Sequence, residues 1–194
     1  MAVIAHASLV EFFREQVESA LARQRVPVND GSAHYVVHLL AGTVRHDTSS
    51  RAATLLDSRP LALRLADAMD QRCQSPGHAL RDVADAALLL GGYFGGRSTS
   101  RGVPLAYYHR LGGFAYGTLG QESRILGPIF ADLAERFAQY ADALGEVGQR
   151  AEMHAPSGLL RALEQWERSR DRVTERLLVE RGVVLTRGRD VRSQ

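Results

Sequence analysis

LRDVADAALLLGGYFGGRSTSRGVPLAYYHRLGGFAYGTL, residues 80–119, is the stretch on which the fold turns. From Val83 to Leu90 every residue except Asp85 is apolar, a pattern that marks a helix buried on most sides rather than one with a single apolar stripe. A carboxylate in such a helix needs a partner, because burying it without hydrogen bonds costs several kcal/mol or more. Asp85 is therefore expected to be more than half buried and bonded to a side chain of the 97–116 segment. The donors near it in sequence are Arg97, Arg101, Tyr107, Tyr108, His109 and Arg110. The plain role for such a carboxylate is to tie two halves of a helical hairpin together; the sharper one is catalysis or ligand binding.

Around this run the polypeptide reads as helix after helix. Ser8 and Glu11 stand three apart before Leu9, Phe13, Val17 and Leu21, which predicts a capping box and an amphipathic helix over 8–24. Pro27, Asn29, Asp30 and Gly31 supply turn chemistry, and a buried helix follows over 32–45. Pro60 opens a third helix through Leu61, Leu65 and Met69 toward Cys73, and Ser75-Pro76 opens the one that becomes the buried run. That helix should end at Gly91-Gly92. Pro104 starts the next, which Gly112-Gly113 should interrupt where it presses on the 84–92 segment.

Gly127-Pro128 begins a regular amphipathic helix with Phe130, Leu133, Phe137, Tyr140 and Leu144 inward and Asp132, Glu135, Arg136, Gln139 and Asp142 on a wet back. A last helix is expected over 157–182, with Trp166 among Leu159, Leu163 and Leu177. Its other face alternates arginine with acid, as in a solvated helix. The fold class is thus all-α, a single-domain irregular bundle of about seven helices over 1–182, followed by a basic tail over 183–194.

Composition narrows the chemistry. The chain has 194 residues and all 24 of its cationic side chains are arginine. Without lysine there is no Schiff-base nucleophile and no Walker-loop phosphate ligand. The net charge of +2 disfavours a nucleic-acid partner, and the one cysteine, Cys73, cannot form an internal disulfide, which fits a reduced, cytoplasmic setting. The start MAVIAHASLVEFF lacks a secretory signal pattern, and no stretch approaches the length of a membrane span.

Three further features bear on the chemistry. His34 and His38 lie four apart, a spacing at which two imidazoles can share a metal, and His46 with Asp47 follows, but there is no HExxH, no carboxylate between the histidines and no CxxC; the face is read as structural and no metal or cofactor is assigned. The segment GGRSTSRG, residues 95–102, could cradle an anion, yet it lacks the lysine and preceding strand of a phosphate loop and reads first as a solvated connection. Trp166, the only tryptophan, should either pack inside or anchor an interface.

At residues 80–116 the pattern LxxxxDxALxxxGxF followed by VxxxYYxxLGxxAY resembles a bacterial family of all-helical proteins without a known activity. The likeness extends to YVVHLLAGTV upstream and FADLAERFAQYADALGEV downstream. It implies that the region is one structural unit and transfers no catalytic residue.

Two functions follow. The first is a non-catalytic binding or regulatory module that works through a protein partner or a homodimer, the dimer closing on the last helix. The second is an anionic-ligand site, or an enzyme, at the hinge formed by Asp85, Tyr93, Arg97, Arg101, Tyr107, Tyr108, His109 and Tyr116, with Asp85 or His109 moving the proton.

Overall fold

The computed structural model describes residues 2–27, 29–44, 59–70, 75–95 and 102–154, together with Trp166, Glu175 and Leu178; for 2–8, 44 and 152–154 the backbone alone is described. These residues form an all-α bundle with seven helices and no strand among them: α1 (Ala2–Arg23), α2 (Asp30–Val44), α3 (Leu61–Met69), α4 (Pro76–Gly91), α5 (Leu105–Glu122), α6 (Gly127–Glu135) and α7 (Phe137–His154). None of these helices is long and apolar enough to cross a membrane. The chain divides into two compact units, 1–148 and 149–194, with the division inside α7. In the second unit Trp166 and Leu178 are buried.

In the first unit α4 is the centre. It packs on α3 and α5, α5 packs in turn on α6, and α1 and α2 pair beside them. Every residue from Val83 to Leu89 is buried, as its nearly unbroken apolar run demands. The helix stops at the glycine pair. A Cβ at Gly92 would lie 2.8 Å from the Ala141 carbonyl oxygen and 2.9 Å from the Leu144 Cβ, so only a bare backbone lets this end of α4 sit against α7.

Three expectations need correction. The helix predicted from Ser8 begins at Ala2, because residues 2–7 contain no glycine or proline to stop it, and Ser8 lies inside rather than at a cap. Gly112-Gly113 does not interrupt α5. The helix runs through them, and a Cβ at Gly112 would collide with the Phe137 ring and lie 2.9 Å from the Ala87 Cβ. The pair permits close helix contact rather than ending a helix. The long helix from Gly127 is divided at Arg136, whose φ of −108° and ψ of 26° turn the axis while its amide still bonds to the Asp132 carbonyl. That turn carries Asp132 out of the wet face and into the core, where it is 8% exposed.

Of the two placements expected for Trp166, the inward one is found: the side chain is 5% exposed within a single chain. Cys73, His46, the arginines of the 183–194 tail and the remainder of the last predicted helix lie outside the described residues.

Candidate functional site

Asp85 sits at the middle of α4 with no exposed surface. Two phenols from different helices converge on one of its oxygens: Tyr35 of α2 and Tyr116 of α5 each donate to Oδ1 at 2.6 Å. Arg81, one turn earlier on α4, donates its Nε–H to the Tyr35 hydroxyl oxygen at 2.8 Å and stands 3.9 Å from Asp85 Oδ2. Its guanidinium also lies 4.9 Å from the centre of the Tyr35 ring, within range of a cation–π attraction.

Aromatic rings close the surroundings. Tyr116 stacks on Phe130 at 5.8 Å, and Tyr35 meets the same Phe130 edge-on at 5.6 Å. Burial first, and then the neighbouring Asp85 charge, push both phenols well above the ordinary tyrosine range. They therefore stay protonated as donors, which is what a buried carboxylate requires. The arrangement joins α2, α4 and α5 through one oxygen atom and leaves no open surface on Asp85 for a substrate.

A second buried carboxylate is built from the same parts. Asp132 accepts from Arg136, one turn later, on Oδ1 and from the Tyr140 hydroxyl on Oδ2 at 2.8 Å. Burial, followed by the bond to Asp132, pushes the Tyr140 phenol up to about 12.

The predicted hinge residues fall into separate places. Asp85 and Tyr116 are in direct contact, but Tyr107, Tyr108 and His109 make no bond to Asp85. Tyr107 instead accepts the Ala62 N–H at 3.1 Å, capping α3, whose own cap position is a proline without a side-chain bond. Tyr108 is buried against Tyr107, with ring centres 5.3 Å apart. His109 lies 5.8 Å from the Phe137 ring, and its Nε2 is buried without a hydrogen-bond partner. Tyr93 packs edge-on against Phe13 and Phe94. Arg97 and Arg101, with most of the 95–102 segment, lie outside the described residues.

Tyr35, Arg81, Asp132, Arg136 and Tyr140 were missed as site residues. The spacing of four in Arg81/Asp85 and Asp132/Arg136 was a usable signal, since residues four apart are neighbours on a helix. Tyr35 carried a weaker one, a polar hydroxyl in a helix already read as buried.

An open feature lies on the other side of α5. A groove of about 530 Å³ is lined by Leu65 of α3, by Pro104 at the start of α5 and by Ala106, Tyr107, Arg110, Leu111 and Phe114 of α5. Phe114 is 53% exposed. Arg110 is also exposed and makes no ion pair among the described residues. Among the same residues no group of three or more His, Cys, Asp or Glu could hold a metal ion. Compared with protein-family models, curated proteins and solved structures, the chain finds no significant match in any of the three.

Proposed function

We propose that the chain is a non-catalytic helical module that works through protein contacts, with the groove between α3 and α5 as its docking surface. The observation that carries this reading is Arg110, an exposed cation with no ion pair among the described residues, which lines an otherwise largely apolar groove together with half-exposed Phe114. Apolar walls with an aromatic anchor and one guanidinium suit an amphipathic helix of a partner protein that places aliphatic side chains in the groove and a carboxylate against Arg110. Helix α3 also exposes Leu63 and Met69. The sealed state of Asp85 weighs against the hinge as a reaction centre, and the burial of Trp166 removes the earlier reason for a dimer through the last helix.

The test is site-specific photocrosslinking in cells, with benzoylphenylalanine in place of Phe114 and, as a control, in place of exposed Gln121. The reading expects a protein adduct at 114 and not at 121, mapped to an apolar helix bearing Asp or Glu, and suppressed by Arg110→Glu. Equal yields at the two positions, or a yield indifferent to Arg110→Glu, overturn it. An adduct with a second copy of the chain replaces the foreign partner by self-association.

A further inference from the structure

Helix α2 has an exposed face. Asp30, His34, His38 and Gly42 recur every four residues and all four are exposed, and a Cβ built at Gly42 meets no atom within 4 Å. Residues at this spacing stand one above another, and here two of them are imidazoles whose ring centres are 4.3 Å apart with planes inclined at 56°.

That separation can be compared with what chelation needs. A divalent ion holds an imidazole nitrogen at about 2.0–2.1 Å, and the ring centre lies about 1.2 Å behind that nitrogen, so each centre falls about 3.2 Å from the ion. Two such rings at a right angle have centres about 4.5 Å apart, and at the tetrahedral angle about 5.2 Å. The 4.3 Å between the ring centres of His34 and His38 is closer to the right-angle value than to the tetrahedral one. Adjacent ligands at a right angle belong to tetragonal and octahedral coordination, and among ions that favour imidazole these are Cu(II) and Ni(II), with Cu(II) the tighter binder.

We propose that His34 and His38 form a surface chelate for a tetragonal divalent ion, Cu(II) first and Ni(II) second. No metalloenzyme motif accompanies the pair, and His46 and Asp47, which follow it in sequence, lie outside the described residues. A chelate of this kind needs no third protein ligand, since water fills the other positions. It is consistent with the lack of any three-residue ligand group among the described residues. Asp30, one turn before His34 on the same face, adds a carboxylate whose field favours a cation there without being a ligand. Bringing the second imidazole to an ion already held by the first is an intramolecular step, so loss of either ring weakens binding by roughly tenfold or more.

The experiment is calorimetric titration of the full chain with CuCl2 and with NiCl2 in a non-coordinating buffer, together with electron paramagnetic resonance of the Cu(II) form. Wild type, His34→Ala, His38→Ala and, as a control, His78→Ala on the exposed side of α4 are compared. The expected result is one leading Cu(II) site with an axial spectrum and coupling to two imidazole nitrogens, weakened at least about tenfold in each α2 variant and unchanged in His78→Ala. Both α2 positions are exposed, so circular dichroism should register folded variants. Cu(II) affinity and spectrum that survive both α2 substitutions overturn the proposal, as does single-nitrogen coupling in the wild type.

Discussion

Helix α5 has two unlike sides. One carries Tyr108, Gly112, Ala115, Tyr116 and Leu119 into the core, where Tyr116 ends on Asp85. The other carries Ala106, Arg110 and Phe114 to the open groove. On the inner side each polar atom described around Asp85 has a partner and each gap is closed by a ring. On the outer side stand an exposed cation, Arg110, with no ion pair among the described residues, and the half-exposed ring of Phe114. The contrast separates residues that specify the fold from residues free to recognise something else, and it can be tested one substitution at a time.

The largest effect is expected at Asp85. Asp85→Ala leaves two buried phenols and Arg81 without their shared acceptor, and removing one member of a buried polar network costs about 3–5 kcal/mol. Asp85→Asn keeps an acceptor oxygen and should lose clearly less. Urea denaturation followed by circular dichroism measures both. A loss below about 1 kcal/mol for the alanine variant would mean that the inner side of α5 is not held by this carboxylate.

Two glycines of α5 sharpen the same point with opposite signs. Gly112→Ala places a methyl group into the Phe137 ring and against Ala87, and overpacking of this kind costs about 1–3 kcal/mol. At Gly117 the nearest atom to a new Cβ is the Ala134 Cβ at 3.9 Å, an ordinary contact, so Gly117→Ala should stabilise by up to about 1 kcal/mol through helix propensity. Equal effects at the two positions would show that helix propensity, and not close approach to α4 and α7, governs this helix.

How far these features could be read from the sequence differs with their physical origin. The buried run of α4, its end at Gly91 and its single carboxylate were legible because hydrophobic periodicity and glycine act locally. The partners of Asp85 were not, except for Tyr116, because Tyr35 approaches from a helix fifty residues earlier and nothing local marks that meeting. Asp132 was misplaced because a regular amphipathic pattern presumes a straight axis, and the turn at Arg136 rotates the helix within that pattern. The groove was invisible for a related reason. Phe114 looks like any other apolar residue in a glycine-rich helix until its neighbours are known.

High pH distinguishes the two sides further. Tyr35, Tyr116 and Tyr140 have folded-state values raised above the ordinary tyrosine value, so their stabilising contribution is complete below about pH 10 and is lost as pH rises toward the folded values. In that window each phenol that ionises only on unfolding removes about 1.4 kcal/mol per pH unit. Absorbance at 295 nm should therefore rise in two stages, the later one coinciding with loss of helicity. A single titration near pH 10 in a chain that remains folded would contradict the buried placement of these hydroxyls.

The smallest effect on stability is expected on the outer side, and its smallness is the point. Phe114 is 53% exposed, and Arg110 has no ion pair among the described residues, so neither holds the bundle together. Phe114→Ser and Arg110→Glu should each change the unfolding free energy by no more than about 0.5 kcal/mol, as surface substitutions away from special features do. If the groove binds a partner helix, both changes must nevertheless abolish capture, because one removes the aromatic anchor and the other places like charge against the partner's carboxylate. Thermal unfolding of the two variants, beside co-purification of the partner that crosslinking from position 114 identifies, makes the comparison. Loss of capture with unchanged stability assigns these residues to recognition, whereas a destabilisation comparable to that of Gly112→Ala would make the outer side part of the core and remove the distinction from the inner one.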